Sequence, residues 1–155
     1  MGKLYIESLE KRIRLKKIAN AVYTVLKQTD NIKAELVFSE DAEMRTLNRD
    51  TRGVDSITDV LSYPMLDGHK EEILKVENHL TELDGKYIFI GSIVLCESKI
   101  KEQAKELGHS EVRERTYLIV HGLMHLFGYD HIKEKDKVEM REKEKQALAL
   151  LGIVD

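Results

Sequence analysis

Of the six histidines in this chain, three fall within eleven residues: His121, His125 and His131. On a helix turning about 100° per residue, the first two lie about 40° apart and one turn removed, so their imidazoles share a face. Val112, Ile119, Leu123 and Leu126 gather on the opposite side, while Leu118 and Met124 flank the histidines, making the helix apolar nearly all round. Such a helix is buried. Imidazoles on it need partners, because an unsatisfied buried polar group costs on the order of 1 to 3 kcal/mol. Gly128 can take the left-handed conformation that ends a helix and turns the chain back, which brings His131 toward the other two. Three neutral imidazoles with one position left open are the donor set of a catalytic zinc, whereas structural zinc is usually closed by four ligands rich in cysteine. One Zn2+ per chain is therefore the expected cofactor, with the open position available to water. His69, His79 and His109 have no such arrangement and read as ordinary core or surface residues.

The spacing of His121, His125, Gly128 and His131 matches the metzincin peptidase pattern H-E-x-x-H-x-x-G-x-x-H in every place but one. Gly122 stands where the glutamate that serves as general base should be, so peptide hydrolysis by that route lacks its proton acceptor. Glycine also costs a helix interior about 1 kcal/mol relative to alanine. Its presence suggests that the missing side chain makes room for a neighbouring backbone or a substrate.

The full stretch His121-Gly122-Leu123-Met124-His125-Leu126-Phe127-Gly128-Tyr129-Asp130-His131 resembles the signature of the YbeY family of endoribonucleases. A second block, Leu47-Asn48 to Arg52 followed by Thr58-Asp59-Val60-Leu61-Ser62-Tyr63-Pro64, resembles the other segment characteristic of that family. The resemblance implies a bacterial metalloenzyme that cuts single-stranded RNA, matures the 3′ end of the 16S rRNA precursor and serves ribosome quality control beside ribosome-assembly factors. It implies that His121, His125 and His131 are the zinc ligands and that Arg52 is the functional arginine. A guanidinium there is chemically apt, since it forks onto phosphate oxygens and stabilises charge developing in phosphodiester cleavage. From position alone, Arg52 beside Gly53 reads as a turn residue. Asp130 is open between orienting a ligand histidine and fixing a turn. Thr58 and Asp59 read as turn residues, and Cys96 as a small core residue. One departure is Gly91-Ser92-Ile93, where relatives commonly show Gly-Asp-Ile.

The elements around these residues follow from patterning. At 155 residues and 42% hydrophobic content, the chain fits one domain spanning 1–155. Lys3 to Ile6 alternates as a strand, and a helix is predicted over 9–28. Ala34 to Phe38 reads as a buried strand, followed by a helix capped by Ser39 and ending near Gly53. Ile57 to Tyr63 is a strand stopped by Pro64. Residues 66–86 are polar and look inserted. Tyr87 to Cys96 is the strongest strand, with Gly91 marking a bulge or a close backbone approach. Helices are predicted over 97–107, 111–127 and 136–150. The expected class is α+β, a zincin-like single domain with a small mixed β-sheet packed with helices.

Composition excludes other classes. The single cysteine rules out an internal disulfide and suits a reducing compartment, so the cytoplasm is expected. The first thirty residues hold no signal-peptide core, and no run is long and apolar enough for a bilayer. A net charge of −3 argues against a protein that coats nucleic acid by bulk positive field. The basic cluster Lys11, Arg12, Arg14, Lys16 and Lys17 reads first as a solvated helix face. A monomer is expected. Two alternatives accompany the nuclease reading: a metal-dependent peptidase or amidase using Asp130 as base, and a ribosome-assembly binding protein in which zinc is structural.

Overall fold

A computed structural model describes residues 2–10, 13–66 and 70–154. Lys11, Arg12 and His69 lie outside the described residues. The elements run β1 (Leu4–Glu7), α1 (Leu15–Val25), β2 (Ile32–Ser39), α2 (Asp41–Arg52), β3 (Val60–Pro64), β4 (Leu83–Asp84), β5 (Tyr87–Cys96), α3 (Glu97–Leu107), α4 (Glu111–Leu126) and α5 (Glu134–Leu150). The sheet has the order β1-β2-β5-β3, with the short β4 also paired to β5. β1, β2 and β5 are parallel, and β3 and β4 run antiparallel to β5. This is the small mixed sheet with packed helices that patterning predicts.

β5 organises the core through one irregularity. Against β2, Lys33 pairs with Phe89 but Ala34 pairs with Gly91, so Ile90 is an extra residue in β5. A bulge of this kind shifts the alternation of side chains by one position. Ile88 and Ile90 before it, and Ile93 and Leu95 after it, thereby all join the main core with α1 and α4. Val94 and Cys96 turn to the other face, where Met44 of α2 and Leu61 of β3 cover them. Gly91 makes this geometry accessible: its φ is +133°, and a Cβ there would lie 2.2 Å from the Tyr63 carbonyl oxygen. Both expectations for Gly91, a bulge and a close backbone, hold at once.

Several boundaries differ from the pattern for local reasons. α1 starts at Leu15 rather than residue 9, because the Ser8 hydroxyl accepts from the Glu10 N–H (3.2 Å) and forms a turn instead. Ser39 does not cap α2; Glu40 holds that position without a side-chain bond, and the Ser39 hydroxyl donates to the Glu40 carbonyl. β3 begins at Val60, since the Asp59 carboxylate accepts from the Val60 N–H (2.8 Å) and the Thr58 hydroxyl (3.3 Å). These contacts make Thr58 and Asp59 turn residues, as expected. α5 begins two residues earlier than predicted, at Glu134.

The polar stretch after β3 is more than an excursion. Gln28 clamps it from both sides, donating to the Glu72 carbonyl and accepting from the Leu74 N–H, each at 2.9 Å. Leu74 is buried in the main core, and Asp30 accepts from the Val76 N–H. β4 follows at its end, a two-residue strand that the polar sequence concealed.

Candidate metal centre

α4 is built to deliver its last two turns to one place. Ser110 caps it by accepting from the Arg113 N–H (3.1 Å), and Glu111 and Glu114 sit favourably in its first turn. The helix ends at Leu126. Gly128 follows with φ +100°, and the Tyr129 N–H returns to the Met124 carbonyl at 3.0 Å. This is the chain reversal that the glycine implies, and it carries His131 back over the helix end. Val112 departs from the wheel expectation: it lies at the exposed N-terminal end and is 68% accessible.

The three imidazoles gather as the spacing predicts. Their ring centroids lie 4.7 Å (His121 to His125), 5.1 Å (His125 to His131) and 5.6 Å (His121 to His131) apart. One nitrogen from each falls within 4.8 Å of the others, and among the described residues no further histidine, cysteine or carboxylate joins the group. His121 and His125 are half-buried and His131 is exposed.

Hydrogen bonds fix the two helical rings. His125 Nδ1 donates to the Tyr129 carbonyl oxygen at 3.0 Å. His121 Nδ1 lies 2.5 Å from Glu144 Oε2 on α5. Both partners are acceptors, so in the neutral rings each Nδ1 carries the proton and each Nε2 presents a lone pair. The two Nε2 atoms stand 3.2 Å apart. Two lone pairs facing at that distance repel unless a cation lies between them, and two nitrogens on a tetrahedral zinc are about 3.3 Å apart. The donor set thus fits zinc. Burial, reinforced by the charges of His121 and His131, pulls the His125 pKa from 6.5 down to about 4. His125 is accordingly neutral and able to donate a lone pair at physiological pH.

Glu144 is the functional candidate that the sequence reading missed. It is a buried carboxylate, 4% exposed, in a helix otherwise rich in solvated charge. Met140, Glu144 and Ala147 form the buried stripe of α5, and a carboxylate on such a stripe was the available signal. Tyr117 lies beside His121, ring centroids 5.9 Å apart, and burial followed by the nearby Glu144 charge pushes its pKa up to about 12. It stays protonated near neutrality.

The remaining candidates separate clearly. Asp130 accepts from the Ile132 N–H (3.2 Å), which makes it a turn residue and leaves the orienting role to Glu144. Gly122 makes room for neither backbone nor substrate: a Cβ there would meet Ile93 of β5 at 2.9 to 3.1 Å. Ser92, on the other face of β5 from Ile93, donates to Glu35 at 3.1 Å. Cys96 is fully buried, as a core residue should be. His79 and His109 stand apart from the cluster beside Glu82 and Glu114. Arg52 is the exposed last residue of α2, and its side chain has no hydrogen bond or ion pair among the described residues. Its neighbour Thr51 is 3.0 Å from the Tyr63 hydroxyl, which ties this helix end to β3, and β3 packs against α4.

Residues 3–152 match the family model described as Endoribonuclease YbeY. The chain belongs to the YbeY family. A member from Clostridium botulinum (strain Alaska E43), named Endoribonuclease YbeY, is 45% identical over 136 residues, covering 83% of this chain and 82% of the relative. Another YbeY so named, from Clostridium perfringens (strain SM101), is 38% identical over 146 residues, covering 89% of this chain and 87% of the relative. Among solved structures, the fold is similar to a Thermotoga maritima protein studied in solution, TM1509, with TM-score 0.58 and 24% identity. That likeness covers 98% of this chain and 90% of the other. No helix among the described residues is long and apolar enough to cross a membrane.

Proposed function

We propose that this YbeY-family chain is a zinc-dependent endoribonuclease that hydrolyses phosphodiester bonds in single-stranded RNA. Its proposed substrate is the 16S rRNA precursor, cut in 3′-end maturation and in ribosome quality control, in the cytoplasm and beside ribosome-assembly factors. The observation that carries the reading is the convergence of His121, His125 and His131 in a chain whose relatives bear the name endoribonuclease. These three residues would hold one zinc. When bound, that metal supplies Lewis-acid chemistry toward the phosphodiester. Glu144 and the Tyr129 carbonyl hold the His121 and His125 rings in the orientation that points Nε2 at the ion. Arg52, which pairs with no carboxylate among the described residues, would fork onto phosphate oxygens and offset charge as it develops.

The peptidase alternative has less support, because Gly122 has no side chain and the Asp130 carboxylate accepts from the Ile132 N–H in a turn. A structural zinc would call for a fourth protein ligand, and among the described residues three donors gather here. The test is metal analysis paired with cleavage of single-stranded RNA. One zinc per chain and cleavage are expected for the parent, loss of both for His125→Ala, and loss of cleavage with zinc retained for Arg52→Ala. Zinc-loaded parent that leaves RNA intact would refute the nuclease reading.

A further inference from the structure

Away from the histidines, α1, the start of α4 and the chain after α5 enclose a groove of about 880 Å³. Its floor is aliphatic, with Ile18 and Ala21 from α1 meeting Leu151 and Ile153 from the C-terminal segment. Arg14, Lys17, Arg113 and Arg115 line it, and among the described residues no carboxylate does. Arg115 holds Glu97 at 3.0 Å and Arg113 donates to the Val154 carbonyl at 3.4 Å, whereas Arg14 and Lys17 form no ion pair among the described residues. In a chain of net charge −3, this is a locally positive margin around an apolar trough.

The lining chooses between occupants. Single-stranded RNA binds by stacking bases on aromatic rings above a charged track. Among the described residues no aromatic side chain lines this groove. A flat lipid surface does not fit a concave trough, whereas an amphipathic helix laid apolar side down does. Its solvent-facing flanks would then meet Arg14, Lys17 and Arg113, which demands acidic residues there. We infer that the α1/α4/α5 groove docks an acidic amphipathic helix of a partner protein. Val112 at the groove and His125 are thirteen residues apart on or beside one helix, about 20 Å along its axis. A partner seated in the groove leaves the histidine cluster open.

The test uses two synthetic peptides with leucines at i, i+3, i+4 and i+7, one bearing glutamates and the other lysines on the opposite face, together with a short uridine oligomer. Methyl resonances of Ile18, Ala21, Leu151 and Ile153 report occupancy, and fluorescence anisotropy reports affinity. The glutamate peptide is expected to shift these methyls and to bind at least about tenfold more tightly than its lysine twin. The exposed double variant Arg14→Glu/Lys17→Glu is expected to abolish that preference while keeping the parent's melting curve. The inference is overturned if neither peptide shifts the groove methyls, if the two peptides bind equally, or if the uridine oligomer shifts those methyls and displaces the peptide. Because none of these readouts involves zinc or RNA cleavage, their outcome is separable from that of the proposed nuclease activity.

Discussion

Replacing Glu144 by alanine should weaken zinc binding as well as the metal-free fold. Glu144 Oε2 lies 2.5 Å from His121 Nδ1 and the residue is 4% exposed, so the carboxylate serves this ring with little help from solvent. It fixes the proton on Nδ1, sets the ring plane and makes Nε2 a stronger donor. Loss of an outer carboxylate of this kind typically costs ten- to a hundredfold in metal affinity, or about 1.4 to 2.7 kcal/mol. Without metal, the carboxylate is a buried charge whose desolvation offsets much of its attraction to the imidazole. Its removal also leaves the His121 Nδ1–H without its acceptor, so the metal-free protein is expected to lose about 1 to 3 kcal/mol. Glu144→Gln, which keeps an acceptor but not the charge, should fall between parent and alanine variant. Affinity is read by chelator competition, and folding by urea denaturation of the metal-free proteins. Parent-like zinc affinity in a folded Glu144→Ala variant would refute the orienting role. Equal losses in the glutamine and alanine variants would show that the charge is what matters.

Gly122→Ala is expected to destabilise by about 1 to 2 kcal/mol: crowding against fully buried Ile93 outweighs the gain of about 1 kcal/mol in helix propensity. Adding Ile93→Val, which removes the nearest clashing atom, should make the double variant more stable than the two single losses predict, as read by denaturant midpoints. Gly91→Ala should cost about 3 kcal/mol or more, because its Cβ would strike a backbone oxygen at a positive φ; thermal melts measure the loss. The pH dependence of the metal-free protein has a definite sign. His125 is depressed from 6.5 to about 4, so below pH 6.5 the unfolded chain takes up its proton first, and stability falls as pH drops toward 4. Allowing for the partial solvent screening of a half-buried ring, the loss is on the order of 1 to 2 kcal/mol. Urea midpoints across that window should flatten in His125→Gln, and an equally steep fall in that variant would refute the assignment.

The metal cluster was legible because everything that assembles it is local. One helical turn separates His121 from His125, and the reversal at Gly128 returns His131 within a few residues. Periodicity and a single glycine suffice for that. Gly91 was legible for a similar reason, since a glycine inside so apolar a strand needs a backbone explanation. Glu144 was not, because it lies 23 residues beyond His121 and reaches it only through the packing of α5 on α4. In a segment written Glu-Lys-Glu-Lys, nothing but the buried stripe separates it from its solvated neighbours. Ile93 opposite Gly122 was hidden in the same way, through a contact between a strand and a helix that no local pattern encodes. The start of α1 and the cap of α2 were misread for the opposite reason. There, short-range hydrogen bonds of Ser8 and Ser39 overrode the residue preferences.

All three imidazoles belong to one eleven-residue segment, so denaturation does not scatter them. An ion keeps a foothold on the unfolded chain, and the stabilisation it confers follows the ratio of its affinities for the two states rather than its affinity for the native one. What folding adds is orientation, through the Tyr129 carbonyl and Glu144. Synthesis proceeds in the same order, since His131 precedes α5. A growing chain thus exposes its chelating segment before the carboxylate that tightens it, and capture of the ion can come ahead of the finished fold.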